Sequence, residues 1–257
     1  MGHGVTPDQR AALGSLTAIW PDRRVYVVGA AALVLRHRLP PGRTTLDLDL
    51  AVDVALGELR TALEAAPDWS ADPRYEHRWS HVGGAIVDLL PIGGTALADG
   101  ALVWPETGAR MNLEGFQLLS AHSVRVPDLN VEAASAPLIA ILKMVAWLDR
   151  PQERKKDLED LGFLLDHYLD PLDERMFTGE AADLGFFDER ANTYLLGLDM
   201  GRMGGGGAAV ARFIRRVRED TTAQVALAQR WASIDDEDAL LERIELFERG
   251  FLAGSED

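Results

Sequence analysis

The stretch Thr44-Thr45-Leu46-Asp47-Leu48-Asp49-Leu50-Ala51-Val52-Asp53 limits what this chain can fold into more than any other. Leu46, Leu48, Leu50 and Val52 recur at every second position, the period of a half-buried strand. On such a strand Asp47 and Asp49 face the same way, about 7 Å apart. Aspartate is depleted in strands, because its side chain competes with the backbone ladder. Two on one face repel each other unless a cation lies between them. A hard divalent metal, which prefers oxygen ligands, is the simplest such cation. The alternative is a solvated strand face that carries two acids.

The neighbouring segments favour a functional reading. Residues 7–20 have the apolar spacing of a short amphipathic helix. Arg24 to Val28 is a short apolar run rich in β-branched residues, which predicts a buried strand. Gly29 follows, and residues 30–37 read as a helix. A strand, a glycine turn and a helix N-terminus can seat phosphate, because free backbone N–H groups and the helix dipole favour anions there. A close-packed turn with no ligand has the same pattern. Residues 39–42 read as a loop, and 55–66 as a helix. Residues 75–82 and 85–91 predict a hairpin across Gly83-Gly84. Its second strand is apolar except for Asp88, and a lone carboxylate there needs a partner. That partner is either a structural ion pair or a metal shared with Asp47 and Asp49.

Residues 98–128 are mixed, with strand-like pieces such as Ser123 to Val126. From about residue 134 the pattern turns helical, with helices over 137–150, 155–169, 180–200, 208–230 and 236–251. Lys143 sits inside the first, which is otherwise apolar, and Asp157 sits on the apolar stripe of the second, with Asp160 at its edge. The two predict either an ion pair fastening two helices or a lysine beside nucleotide phosphates oriented by Asp157. The glycine run at 204–207 lacks a following Lys-Ser/Thr and reads as a turn, not a P-loop.

Lys and Arg number 26 against 41 Asp and Glu, giving a formal charge of −15. That argues against a broad electrostatic grip on nucleic acid or on an anionic membrane, although Arg212, Arg215, Arg216 and Arg218 could form a local basic patch. The chain has no cysteine, which excludes disulfides and thiolate metal sites. No apolar run is long enough for a membrane span and no signal pattern opens the chain, so a cytoplasmic protein is expected.

Taken together, Val28-Gly29-Ala30, then Arg43-x-Thr45-x-Asp47-x-Asp49, then Asp88, resemble the polymerase-β-type nucleotidyltransferase superfamily. Leu142-Lys143, Arg150 and Lys156-Asp157-Leu158-x-Asp160-Leu161 make the chain similar to its AbiEii/MenT-like branch, which includes toxins of toxin–antitoxin systems. The resemblance spans roughly residues 24–165. It implies an α/β (α+β) fold: a mixed sheet flanked by helices in a catalytic domain over 1–130, then a helical domain over 131–257. It implies transfer of an NMP group from an NTP to an acceptor hydroxyl, with Asp47, Asp49 and Asp88 holding Mg²⁺ or Mn²⁺. Gly29 and Ala30 would offer amides to phosphate, Arg43 and Lys143 would contact phosphate, Thr45 would fix the loop, and Asp157 would orient Lys143. The acceptor could be a tRNA 3′ end, a protein or a small aminoglycoside-like molecule, and a cognate antitoxin could bind the protein. The family usually carries Gly-Gly or Gly-Ser where this chain has Gly29-Ala30. That departure keeps a second reading open, a non-catalytic binding or regulatory module of the same fold.

Overall fold

The computed structural model describes residues 5–36, 47–231, 233, 234 and 236–256. They form two compact units, Met1–Ser135 and Ala136–Asp257. The first unit opens with α1 (Pro7–Ile19), β1 (Val25–Val28), α2 (Gly29–Arg36), β2 (Asp47–Val52) and α3 (Leu56–Ala65). It continues with β3 (Trp69–Ala71), β4 (Arg78–His81), β5 (Ile86–Pro91), α4 (Ala96–Asp99), β6 (Ala101–Val103) and β7 (Arg110–Asn112). It closes with α5 (Leu119–His122), β8 (Ser123–Val126) and β9 (Val131–Ala134). Thr6 starts α1 with a reciprocal cap: its hydroxyl accepts from the Gln9 amide, and the Gln9 side chain accepts from the Thr6 amide.

Seven strands form a mixed sheet in the order β3-β4-β5-β2-β1-β9-β8, while β6 and β7 make a separate hairpin. The strand β2 lies at the centre, parallel to β5 and antiparallel to β1. Its Leu48 and Leu50 are fully buried, whereas Asp47 and Asp49 stay half-buried on the other face. That is the alternation expected from the pleat. β1, VYVV, is buried throughout and could hold only a central place. The architecture is thus a mixed sheet flanked by helices, followed by a helical unit.

Residues 131–134, expected in the helical domain, are β9, which pairs in parallel with β1. Short and alanine-rich, this VEAA segment carries no strand signal of its own; its neighbours on both sides define it.

The second unit is helical: α6 (Ala136–Asp149), α7 (Lys155–His167), α8 (Gly179–Asp183), α9 (Glu189–Arg202), α10 (Gly207–Glu219), α11 (Thr221–Ala228) and α12 (Glu237–Glu256). Two helices expected to be continuous are broken. Residues 180–200 divide into α8 and α9, and the Asp188 carboxylate caps the second by accepting from the Arg190 amide. Residues 208–230 divide at Asp220, which accepts from the Thr222 amide and starts α11. In both places a side-chain cap competes with the helix it interrupts. No helix among the described residues is long and apolar enough to cross a membrane.

Two glycine pairs at four-residue spacing bring α9 and α12 into backbone contact. A Cβ at Gly197 would collide with the Phe247 carbonyl oxygen, and one at Gly201 with that of Phe251. Reciprocally, a Cβ at Gly250 would strike the Tyr194 carbonyl and one at Gly254 the Leu198 carbonyl. Helix backbones do not yield as a side-chain tip would. Gly250→Val is therefore expected to destabilise the protein by at least about 2 kcal/mol in urea unfolding. Gly14→Ala, in α1 with nothing within 4 Å of the new methyl, should instead stabilise by up to about 1 kcal/mol. Equal effects at the two positions would contradict the close crossing.

Candidate active site

The site grows from the register of three neighbouring strands. Asp49 on β2 lies opposite Asp88 on β5, and Asp88 lies opposite Arg78 on β4. Strand alternation then puts all three on the face opposite the buried Leu48, Val87 and Leu89. Asp47, two residues before Asp49, shares it. The side chains confirm the placement. The Arg78 guanidinium donates from Nε to Asp88 Oδ1 at 2.7 Å and from Nη2 to Asp88 Oδ2 at 2.8 Å. The same Nη2 reaches Asp47 Oδ2 at 3.1 Å. Asp47 and Asp88 therefore point to one side of the sheet. His77 Nε2 lies 3.8 Å from Asp88 Oδ2.

The fork-to-carboxylate pairing is the strong form of charge-assisted hydrogen bond. The bonds to Asp88, joined by the charges of Asp88 and Asp47, outweigh the opposing effect of burial and push the Arg78 guanidinium further above its already high range. Arg78 thus stays charged. It is also within 5.5 Å of the Tyr75 ring centroid, near enough for a cation–π contact.

Gly29 forms the other wall. It follows β1, whose Val28 is the register partner of Asp49, and opens α2 with φ +61. A Cβ at Gly29 would lie well inside 3.0 Å of Asp49 Oδ2. Glycine is therefore required twice, by the left-handed backbone and by the carboxylate above it. The expected phosphate seat at the start of α2 is also the cradle of Asp49. Ala30, next in the helix, is buried.

The three carboxylates suit a hard divalent cation in kind, since all their donors are oxygen. A cation already sits between two of them: the Arg78 guanidinium pairs with both Asp88 and Asp47. Among the described residues, no group of three or more His, Cys, Asp or Glu side chains is arranged around one metal position. Arg43 and Thr45, expected to serve phosphate, lie outside the described residues.

Lys143 and Asp157 belong to the second unit. Lys143 is buried and its Nζ lies 3.1 Å from Asp157 Oδ1. It also pairs with Asp160, which is 0% exposed and sits deeper than Asp157. The sequence stripe put Asp160 only at the edge of the apolar face, so its burial corrects that reading. Arg216 and Arg218 of the suspected basic patch are in ion pairs with Asp220 at 2.7 Å and Glu248 at 2.6 Å. Their charge is largely answered within the protein.

The residue that sequence reasoning passed over is Arg78. The signal was present: counting outward from the Gly83-Gly84 turn pairs residue 80 with 86, 79 with 87 and 78 with 88. An arginine directly across from the lone strand carboxylate was therefore readable as its partner.

No protein family matches the chain, and no curated protein matches it. Two solved structures align over nearly its whole length. One is a candidate nucleotidyltransferase from H. pylori, at 14% identity and a TM-score of 0.41, covering 98% of each chain. The other is JHP933 from Helicobacter pylori, at 15% identity and a TM-score of 0.42, covering 98% of this chain and 96% of that one. At that distance neither neighbour bears on the chemistry of this chain.

Lys143→Met removes a buried cation and leaves Asp160 in an apolar setting. It is expected to cost about 3–5 kcal/mol of stability in urea unfolding. Adding Asp160→Leu should recover a large part of that loss. A cost under about 1 kcal/mol for the single variant would show that the pair is not a buried ion pair.

Proposed function

We propose that this protein is a nucleotidyltransferase, moving an NMP group from an NTP to an acceptor hydroxyl. The observation that carries the reading is the meeting of Asp47, Asp49 and Asp88 on one sheet face beside the Gly29 corner. Carboxylates gathered beside a helix start suit a triphosphate with its cation: the backbone N–H groups of Gly29 and Ala30 would take phosphate oxygens. Asp47, Asp49 and Asp88 would hold Mg²⁺ or Mn²⁺, and that ion would supply charge neutralisation at the triphosphate. In the transfer the acceptor oxygen bonds to the α-phosphorus as the bond from that phosphorus to the bridging oxygen breaks. Pyrophosphate leaves with the electron pair, and an Asp88 carboxylate oxygen takes the acceptor proton. Arg43 and Thr45 would serve phosphate and the loop, as the motif implies. Lys143 and Asp157 are accounted for within their own unit by the ion pair, and no step is assigned to them.

The AbiEii/MenT-like character, a toxin role and a cognate antitoxin are the finer part of the proposal, and an adjacent antidote gene would support it. For the acceptor, the resemblance suggests a tRNA 3′ end, while the charge of −15 speaks against a large RNA footprint and keeps a protein or small-molecule acceptor open. A second reading, a module that binds nucleotide without transfer, draws on Arg78, whose bonds engage both Asp88 oxygens.

Calorimetry should detect NTP binding that depends on Mg²⁺ and is lost in Asp49→Ala. Equal heats from the two proteins would contradict the reading. Transfer of label from NTP to bulk RNA or to small acceptors would then separate enzyme from binding module.

A further inference from the structure

The acceptor proton and the metal both need oxygens that Arg78 holds. Asp88 accepts from Arg78 through both oxygens, and Asp47 accepts through one. We propose that Arg78 is an exchangeable counter-cation of the carboxylate site: its guanidinium neutralises Asp88 and Asp47 until a divalent cation displaces it. The inference rests on the nucleotidyltransferase reading and adds a positioning residue to it.

Three observations support exchange over a permanent structural pair. The first is location. Arg78 comes from β4, one strand in from the sheet edge and paired with β5 in a hairpin, so the backbone pairing of β2 and β5 does not depend on where its side chain lies. The second is exposure. The Arg78 side chain is 28% exposed and Asp47 42%, whereas the buried pair of the second unit has Lys143 at 7% and Asp160 at 0%. Water can therefore solvate a released Arg78, while Lys143 has no such outlet. The third is an alternative resting place. The Tyr75 ring, which lies outside the carboxylate cluster, is already 5.5 Å from the guanidinium. Asp72, whose carboxylate accepts from the Tyr75 amide, also acts on the Arg78 charge. A guanidinium withdrawn toward Tyr75 and Asp72 keeps favourable partners.

The charge logic explains why the exchange is needed. Asp49 and Asp88 face each other across two hydrogen-bonded strands. Like charges so placed destabilise the sheet unless neutralised. A guanidinium does this before substrate arrives, and it also fixes the Asp88 rotamer through its planar fork. A divalent ion carried by a triphosphate brings more charge and accepts the same oxygens as ligands. Metal entry therefore competes with Arg78, and the apparent metal affinity is lower than the carboxylates alone would give.

The test is Mn²⁺ binding to the full chain by calorimetry, without nucleotide, comparing wild type with Arg78→Gln. The expected result is about tenfold tighter Mn²⁺ binding by the variant, a difference of about 1.4 kcal/mol. Arg78→Gln should also melt at a lower temperature than wild type without Mn²⁺ and recover more than wild type when Mn²⁺ is added. A second measurement needs no folded Arg78→Gln: in ¹⁵N-labelled wild type, Mg²⁺ should shift the Arg78 Nε–H resonance, assigned by its absence in Arg78→Lys. Equal Mn²⁺ affinity in wild type and variant, or an unmoved Nε–H resonance at saturating Mg²⁺, would overturn the exchange while leaving the metal site standing. Absence of Mn²⁺ binding in both proteins would overturn the exchange and the metal part of the functional reading together.

Discussion

Negative charge on the central sheet of the first unit must be neutralised, and the structure around it follows from that constraint. Asp47, Asp49 and Asp88 project from strands whose opposite face is fully apolar, so they cannot rotate into the core. Their strands are hydrogen-bonded neighbours, so they cannot move apart. What remains adjustable is the cation. Arg78 fills that role by crossing from β4 to Asp88 and on to Asp47, and Gly29 keeps the opposite wall low enough for Asp49 to fit. A site built this way is ready for charge exchange, because its acids are held by backbone and its counter-charge by a side chain.

The second unit handles charge in the opposite manner. Lys143, Asp157 and Asp160 are enclosed among apolar helix faces, where removing one member strands the others in a low-dielectric setting. The arrangement fastens α6 to α7. The glycine crossing of α9 and α12 contributes rigidity by a different route, through backbone approach that only a missing side chain permits. Both features favour a single packing of these helices over alternatives.

Much of this was legible in the residues. Alternation in the Asp47 strand gave its face, the glycine pair gave the hairpin, and the charge buried in an apolar helix pointed from Lys143 to Asp157. The losses have physical causes. β9 is too short and too alanine-rich to announce itself, and its strand character comes from β1 and β8 on either side. The breaks before α9 and α11 depend on Asp188 and Asp220 acting as caps within otherwise helical composition. Periodicity sets Asp160 at the margin of its helix face because it counts one helix at a time, whereas burial is decided by several. Arg78 needed cross-strand counting, which looks past the residue to its partner.

If Asp47, Asp49, Asp88 and Gly29 together form a seat for a cation and phosphate, bound metal and nucleotide must be found there. A crystal of the protein grown with Mn²⁺ and a non-hydrolysable NTP tests it most directly, because manganese is located by its own anomalous scattering. The expected result is a manganese peak coordinated by Asp47, Asp49 and Asp88, triphosphate oxygens on the Gly29 and Ala30 amides, and Arg78 turned from Asp88. A manganese peak elsewhere, with the fork of Arg78 still closed on Asp88 beside bound nucleotide, would contradict it.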